Sequence, residues 1–204
     1  MRIKICGITR VEDGLAAARA GADAIGLVFA PSPRRVERAR ALEIAAALPP
    51  FVGTVALFVN PTHNEVQTVI DELRPGLLQF HGEEEPAFCA AFGLPWLKAA
   101  RVRPGVDLLQ FAVRFAGANG LLLDAWSPAA QGGTGERFDW GLIPAGLARP
   151  VILAGGLTPA NVAAAVRAVR PWAVDVSSGV EATPGIKDAA KIVAFIKEAR
   201  NADA

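Results

Sequence analysis

The feature that most constrains the fold is a regular alternation of short apolar runs with Ala-rich amphipathic stretches along the whole chain. This alternation is typical of βα units and predicts a parallel sheet. The runs read as apolar on both faces, as expected for parallel strands covered on both sides. The predicted strands are Ile3–Cys6, Ala24–Phe29, Val52–Phe58, Leu77–Phe80, Trp96–Ala99, Leu121–Asp124, Val151–Ala154 and Ala173–Ser177.

Helix formers occupy the stretches between these strands. Pro144 interrupts the stretch from Trp140 to Leu147, which weakens the helix pattern after the sixth strand. The other predicted helices are Glu12–Ala20, Arg38–Leu48, Asn64–Leu73, Glu84–Phe92, Asp107–Phe115, Pro159–Val169 and Asp188–Arg200.

Eight such units in 204 residues predict an α/β fold, a single (β/α)8 TIM barrel that forms one domain over residues 1–204. The alternative is an open doubly wound sheet, which usually carries a Gly-rich dinucleotide-binding turn after its first strand. Here that strand leads into Cys6-Gly7-Ile8-Thr9, which lacks this fingerprint.

Composition excludes several classes of protein. A net charge of +1 does not suggest the dense basic surface that nucleic acid or an anionic membrane requires. No run approaches the roughly 20 apolar residues that span a bilayer. The two cysteines show no metal-type spacing, so no metal site is expected, and a reducing cytoplasm fits them best.

In a (β/α)8 barrel the active site lies at the carboxyl ends of the strands. Cys6 ends the first predicted strand and Asp124 ends the sixth. A thiolate can remove a proton from carbon, and a carboxylic acid can donate one to oxygen. The alternatives are a buried small hydrophobic residue for Cys6 and a helix cap or ion-pair partner for Asp124.

Two segments after the seventh and eighth strands are candidates for phosphate binding, because these loops commonly hold phosphate in this fold. Gly155-Gly156 lets backbone N–H groups approach closely, with Thr158 as a helix cap and Pro159 at the first helical position. Ser177, Ser178 and Gly179 add hydroxyls and amides. The alternative is that the glycines only turn the chain.

Three further polar residues follow strands. Arg34 and Arg35 follow the second strand, and Arg suits bidentate contact with a carboxylate, although a solvated pair is the commoner use. His81 follows the fourth strand, where a structural hydrogen bond is the alternative to a binding role. His63 is expected at a helix start without a role. The long loop Trp126–Phe138, with Gln131-Gly132-Gly133-Thr134-Gly135, is expected to be functional or disordered.

Strand parity predicts a polar interior beneath the site. Lys4 shares its face with Cys6, while Ile3 and Ile5 point toward the helices. Asp175 shares a face with Ser177 on the strand that closes against the first. Because a buried charge needs a partner, a Lys4–Asp175 pair is predicted. Gln79 and Lys98 are expected in the same interior layer.

Ordered blocks over almost the whole chain resemble phosphoribosylanthranilate isomerases. They are Lys4-Ile5-Cys6-Gly7-Ile8-Thr9, Gly21-Ala22-Asp23-Ala24, Phe58-Val59-Asn60, Gln79-Phe80-His81-Gly82, Leu122-Leu123-Asp124, Gly132-Gly133-Thr134-Gly135, Phe138-Asp139-Trp140, Leu153-Ala154-Gly155-Gly156-Leu157, Val174-Asp175-Val176-Ser177-Ser178-Gly179-Val180-Glu181 and Gly185-Ile186-Lys187-Asp188. Two positions depart from the family pattern. Phe80 stands where Leu is expected. Val36 stands where Tyr often follows the arginine, which leaves the choice between Arg34 and Arg35 open.

The resemblance implies an Amadori rearrangement of N-(5-phosphoribosyl)anthranilate in tryptophan biosynthesis. It implies that Asp124 is the general acid, that Cys6 is the general base, and that Arg35 contacts the anthranilate carboxylate. It implies proton transfer alone, with no metal or redox cofactor, and a small-molecule substrate as the partner of a monomer or homodimer. The full set of expected substrate contacts is Arg35, His81, Gly155, Gly156, Asp175, Ser177, Ser178 and Gly179.

Two other functions stay open at this point. An enzyme that also handles a related aminoaldose of histidine biosynthesis would be expected to have a longer barrel and paired aspartates. A non-catalytic binder of phosphate ligands would need only the glycine loops and Arg35, and the presence of both Cys6 and Asp124 argues against it.

Overall fold

The computed structural model describes residues 1–125 and 139–203. Eight parallel strands close into a barrel in which β1 pairs with both β2 and β8. The predicted (β/α)8 barrel is confirmed, and the open doubly wound sheet is wrong because such a sheet would leave β1 and β8 apart. The strands are β1 Arg2–Cys6, β2 Ala24–Val28, β3 Gly53–Phe58, β4 Leu77–Phe80, β5 Trp96–Val102, β6 Gly120–Ala125, β7 Val151–Leu153 and β8 Ala173–Val176.

Helices cover the outside of the barrel, and a two-stranded ribbon, β9 Glu181–Thr183 and β10 Ile186–Lys187, follows β8. The helices are α1 Val11–Ala20, α2 Arg38–Ala47, α3 His63–Leu73, α4 Pro86–Ala90, α5 Leu108–Arg114, α6 Val162–Val169 and α7 Ala189–Asp203. No helix in these described ranges is long and apolar enough to cross a membrane. The predicted loop Trp126–Phe138, including the Gly132–Gly135 block, lies outside the described residues.

Local chemistry explains where these helices begin. The Thr62 side chain accepts a hydrogen bond from the Glu65 amide, and the Glu65 carboxylate accepts one from the Thr62 amide. This capping box starts α3 at His63, as expected. Helix α4 keeps only Pro86–Ala90 of the predicted Glu84–Phe92, since proline favours the first helical position. The stretch that Pro144 interrupts forms only a 3-10 turn, Trp140–Leu142.

Strand parity separates two packing layers. Ile3 and Ile5 face outward into a core that they share with Phe195 of α7. Inside the barrel, Leu97, Leu122 and Ile152 form a separate apolar cluster. Apolar side chains therefore fill part of the barrel interior.

The predicted interior position of Lys98 is wrong. Lys98 alternates with Leu97 and Ala99, which occupy the inner cluster, so it points outward toward α5. Its ammonium lies 2.6 Å from Glu84 Oε2 and 5.4 Å from the centre of the Phe115 ring. The polarity of Lys98 suggested the interior, but a buried carboxylate outside the barrel satisfies its charge.

Candidate active site

Cys6 and Asp124 both face the barrel interior at the carboxyl ends of their strands. Cys6 is the last residue of β1, and its parity is that of Lys4 rather than of Ile3 and Ile5. Asp124 alternates with the outward-facing Leu123 near the end of β6. Their exposed fractions are only 5% and 7%, so both groups lie in a largely dehydrated part of the barrel mouth.

The predicted Lys4–Asp175 pair is confirmed. Lys4 Nζ lies 2.9 Å from Asp175 Oδ1, and the two residues are register partners across β1 and β8. A Cβ atom at Gly26 would lie 2.7 Å from Cys6 Sγ and 3.0 Å from Lys4 Cε. Gly26 therefore leaves the space in which the thiol and the lysine chain meet, so the ion pair lies directly beneath the thiol.

Burial and the neighbouring charges both affect the ionisation of the Cys6 thiol. Burial raises the pKa of the Cys6 thiol, while the positive charges of Lys4 and Lys187 act in the opposite direction. Burial alone would lower the pKa of Lys4, but Asp175 and Cys6 together raise it above its ordinary value. Lys4 is therefore a permanent cation next to the thiol at neutral pH.

Asp124 of β6 contacts His81, which follows β4, past the intervening strand β5. His81 Nε2 lies 3.2 Å from Asp124 Oδ2, and both side chains are at least nine-tenths buried. Behind the ring, Gln79 Nε2 lies 3.2 Å from His81 Nδ1. Gln79 thus occupies the interior layer, as predicted. His81 contacts Gln79 and Asp124, which agrees with the structural role that the sequence left open beside substrate binding.

The two glycine segments after β7 and β8 pack against each other. A Cβ atom at Gly179 would lie 1.9 Å from the Leu157 carbonyl oxygen, so only glycine permits this contact between the loops. None of the backbone N–H groups of Gly155, Gly156, Ser178 and Gly179 donates to another described residue. These free donors can hold an anion, as predicted for a phosphate site.

The predicted helix cap at Thr158 is wrong. Helix α6 begins at Val162 with Asn161 as its cap residue. The Asn161 side chain accepts a hydrogen bond from the Thr158 amide and donates one to the Gly156 carbonyl oxygen. Asn161 therefore ties the glycine loop down, and Pro159 lies in the turn before the helix instead of at its first position.

The structure separates the two arginines that follow β2. Arg34 makes a bidentate ion pair with Glu181, at 2.7 and 2.8 Å, and its side chain is only 12% exposed. The Arg35 side chain is 53% exposed and makes a loose ion pair with the exposed Glu37, at 3.6 Å. The Arg34 guanidinium is therefore held by the fold, while the Arg35 guanidinium remains largely exposed to solvent.

Sequence reasoning missed a buried charge network beside Cys6. Lys187 Nζ lies 2.9 Å from Glu181 Oε1 and 3.1 Å from the Ser177 carbonyl oxygen. Burial would raise the pKa of Glu181, but hydrogen bonds from Arg34 and Lys187 hold it below its ordinary value. At Lys187 the effect of burial outweighs the attraction of the Glu181 carboxylate, so the pKa of the Lys187 ammonium is lowered. The blocks that resemble the family contained Glu181 and Lys187, but no spacing rule joins them to Arg34.

A cavity of about 280 Å³ lies elsewhere, between the end of β5 and α5, and is lined by residues that include Arg101, Arg103 and Phe111. Neither Cys6 nor Asp124 lines it, so it is distinct from the site at the barrel mouth. Within residues 1–125 and 139–203, no three His, Cys, Asp or Glu side chains cluster so as to hold a metal ion.

Known proteins resemble this chain over nearly its whole length. The family model for N-(5'-phosphoribosyl)anthranilate (PRA) isomerase matches residues 3–198. The N-(5'-phosphoribosyl)anthranilate isomerase of Azotobacter vinelandii is 60% identical over 203 residues, which cover 99% of this chain and 98% of the relative.

Solved structures agree with the sequence matches. The phosphoribosyl anthranilate isomerase of Thermotoga maritima aligns with a TM-score of 0.91 at 41% identity, covering 98% of this chain and 99% of that one. A phosphoribosyl anthranilate isomerase in complex with reduced 1-(o-carboxyphenylamino)-1-deoxyribulose 5-phosphate aligns with a TM-score of 0.86 at 40% identity, covering 98% of this chain and 99% of that one. The barrel, the polar strand ends and these matches together show that the chain belongs to the N-(5'-phosphoribosyl)anthranilate isomerase family.

Proposed function

We propose that this chain converts N-(5-phosphoribosyl)anthranilate into 1-(2-carboxyphenylamino)-1-deoxyribulose 5-phosphate, an Amadori rearrangement of tryptophan biosynthesis. The observation that carries the proposal is the placement of Cys6 and Asp124 on opposite sides of one barrel mouth, with two touching glycine loops beside them. In this proposal, residues 1–204 act as one catalytic domain. The relative solved with a reduced form of the product supports the substrate class.

Asp124 acts as the general acid. It transfers its carboxyl proton to the ribose ring oxygen while the anilino nitrogen lone pair expels that oxygen from C1′. The products of this step are an open-chain protonated Schiff base and the Asp124 carboxylate. The Asp124 carboxyl suits the role by its position, because it faces the barrel interior at the carboxyl end of β6, where active sites of this fold lie.

Cys6 acts as the general base. Its thiolate removes the proton on C2′, and the electron pair of that C–H bond moves toward the Schiff base nitrogen to give an enolamine. Tautomerisation of the enolamine then gives the ketone. Lys4 supports this step, because its charge lies beside the sulfur and offsets part of the cost of forming an anion in a buried position.

The two charged ends of the substrate have separate binding groups. The free amides of Gly155, Gly156, Ser178 and Gly179 bind the phosphate, with the Ser177 hydroxyl next to them. Arg35 binds the anthranilate carboxylate, since Arg34 is already paired with Glu181. His81 and Asp175 were expected to touch substrate, but their contacts with Asp124 and Lys4 favour supporting roles.

The remaining expectations are part of the proposal. The enzyme works in the cytoplasm as a monomer or homodimer, and its partner is a small molecule rather than nucleic acid or a membrane. A bifunctional enzyme that also accepts a histidine-pathway aminoaldose is less well supported, because the mouth offers a thiol and a carboxyl instead of two carboxyls. A non-catalytic binder would have no use for a thiol held beside a buried lysine.

A fluorescence assay that follows the loss of phosphoribosylanthranilate tests the function directly. The purified chain should turn the substrate over, and Asp124→Asn should lower kcat by about 10²–10⁴-fold, the usual contribution of a general acid. Cys89→Ser is the control for Cys6→Ser, because Cys89 is buried outside the barrel among aromatic side chains. Near-normal kcat in Asp124→Asn or Cys6→Ser would reject the assigned role, and no turnover by the wild type would reject the function.

A further inference from the structure

Arg101 is the last inward-facing residue of β5 and lies at the barrel mouth. It shares its parity with Leu97 and Ala99, which belong to the inner apolar cluster. In the ladder between β5 and β6 it is the register partner of Asp124. Neighbouring strands lie about 4.8 Å apart, so the Arg101 side chain begins one strand away from the proposed general acid. Arg101 therefore belongs to the same rim of the barrel as the reacting groups.

The positive charge of Arg101 has no ion-pair partner in the described part of the chain. Its guanidinium makes one long contact, in which Nη2 lies 3.5 Å from the His81 carbonyl oxygen, at the limit of a hydrogen bond. The Asp124 carboxyl contacts other groups, since Oδ2 faces the His81 ring and Oδ1 accepts from the Ala125 amide. Because a guanidinium has five N–H donors, most of those of Arg101 can serve a ligand.

Three largely buried cations near Cys6 differ from Arg101, because carboxylates hold all of them within 3 Å. The pairs are Lys4 with Asp175, Arg34 with Glu181 and Lys187 with Glu181, at 2.9, 2.7 and 2.9 Å. Arg101 is itself partly buried. A charge in such a position without a described counter-charge costs free energy, and the anionic group of a ligand would offset that cost.

The order of groups in the proposed substrate indicates which anion lies near Arg101. The phosphate is attached through C5′, the ribose ring oxygen lies next along the molecule, and the anthranilate is attached through C1′ on the far side of that oxygen. In the proposed function the loops after β7 and β8 bind the phosphate, and Asp124 of β6 protonates the ring oxygen. The next strand in the same direction around the barrel is β5. The anthranilate end therefore falls in the sector where Arg101 lies.

Arg35 and Arg101 lie on different sides of this sector. Arg35 follows β2 and Arg101 is near the end of β5, with β3 and β4 between them. A carboxylate has two oxygens and about four lone-pair sites, so one carboxylate can accept hydrogen bonds from two guanidinium groups. Arg101 is also among the residues that line the cavity between β5 and α5. Open space therefore lies beside it, and its side chain has room to turn toward a ligand.

We propose that Arg101 is a second binding group for the anthranilate carboxylate, and that it makes the barrel mouth selective for substrates that carry this group. The inference rests on the proposed function, because that function supplies the carboxylate. Arg101 holds the aryl end of the substrate, while Asp124 and Cys6 transfer the protons. Its loss should therefore weaken the binding of one particular group of the ligand.

Calorimetric titration of the full-length chain with two compounds tests this role. The first is reduced 1-(o-carboxyphenylamino)-1-deoxyribulose 5-phosphate, the ligand of a solved relative, and the second is the same molecule without its carboxyl group. Arg101→Gln should weaken binding of the first compound by at least about tenfold, as expected for a lost hydrogen bond between charged groups, and leave binding of the second unchanged. Arg101→Lys keeps the charge but loses the planar fork, so its effect on the first compound should be smaller.

Arg114→Gln is the matched control, because Arg114 lies on α5 with a half-exposed side chain that pairs with Glu85. This variant should bind both compounds as the wild type does. An equal loss for both compounds in Arg101→Gln would mean contact with the phosphate or the sugar and would reject the proposal. Unchanged binding of both would also reject it, even if kcat falls because Arg101 acts on Asp124. If Arg101→Gln does not fold, a loss confined to the first compound in Arg101→Lys decides the question.

These outcomes separate the two proposals. If the wild type turns over phosphoribosylanthranilate but Arg101→Gln binds both compounds normally, the function stands and the role of Arg101 is wrong. If the selective loss is seen but the wild type shows no turnover, Arg101 recognises the carboxylate and the proposed catalytic function is wrong. If the wild type binds neither compound, both proposals fail.

Discussion

Lys4 Nζ and Asp175 Oδ1 lie 2.9 Å apart inside the barrel, on side chains that are 7% and 9% exposed. The two residues are register partners on β1 and β8, the strands whose pairing closes the barrel. This ion pair therefore joins the first and last strands and also places a positive charge beside Cys6.

Removing either partner should destabilise the fold strongly. Lys4→Met leaves the Asp175 carboxylate buried without a partner, and Asp175→Asn does the same to the ammonium, so each should cost about 3–5 kcal/mol of unfolding free energy. Lys4→Met combined with Asp175→Leu should cost less than the sum of the two single changes, since no charge stays unpaired. Urea unfolding at pH 7 measures these differences.

The control is Arg2→Met, on the same strand. Arg2 pairs with Asp23 at 2.9 Å, but its side chain is 66% exposed, so its loss should cost no more than about 1 kcal/mol. Equal losses in Lys4→Met and Arg2→Met would show that burial does not strengthen the interior pair.

Alkylation of Cys6 should report its surroundings. Burial raises the pKa of the Cys6 thiol, so the rate of reaction with iodoacetamide should still be rising with pH above the range in which an ordinary thiol is fully ionised. Lys4→Met removes a charge that lowers this pKa and should slow alkylation further at any given pH. Mass spectrometry after timed quenching follows the modification of Cys6.

Cys89 provides the internal reference for that experiment. Burial raises the pKa of its thiol to about 12, and its side chain is completely enclosed, so it should stay unmodified while the fold is intact. Faster alkylation of Cys6 in Lys4→Met than in wild type, with Cys89 still protected, would contradict the electrostatic role of Lys4.

Truncating Arg34 should mainly lower stability, whereas truncating Arg35 should mainly weaken substrate binding. Arg35→Ala should raise KM more than it lowers kcat and leave the unfolding free energy almost unchanged, because the side chain is half exposed and its ion pair with Glu37 is long and exposed. Arg34→Ala should cost about 3 kcal/mol of stability, because Glu181 loses its bidentate partner in a buried network. Steady-state kinetics and urea unfolding of both variants distinguish these effects. The opposite pattern would transfer the carboxylate contact to Arg34.

The barrel and the main site residues could be predicted because they depend on local signals. Apolar runs bounded by Gly and Pro fixed the strands to within a few residues, and parity placed Lys4 correctly against Asp175. Parity failed for Lys98, because a polar residue was assumed to face inward while Glu84 offered it a partner outside the barrel. The Arg34–Glu181 pair spans 147 positions of the chain, and only the folded ribbon of β9 and β10 brings Glu181 to it.

Gly155 should tolerate no side chain, because it lies against the backbone of the strand that carries the acid. Its φ is +79°, and a Cβ atom there would lie 2.4 Å from the Ala125 nitrogen and 3.1 Å from Asp124 Oδ1. Gly155→Ala therefore adds a backbone collision to the roughly 1 kcal/mol cost of a left-handed alanine. We expect at least about 2 kcal/mol of lost stability, with kcat lowered because Asp124 must move. Gly105→Ala isolates the conformational cost, since Gly105 has a φ of +87° with no atom within 4 Å of its Cβ position. Equal stability and equal kcat in the two variants, measured by urea unfolding and the fluorescence assay, would mean that Gly155 does not hold Asp124 in place.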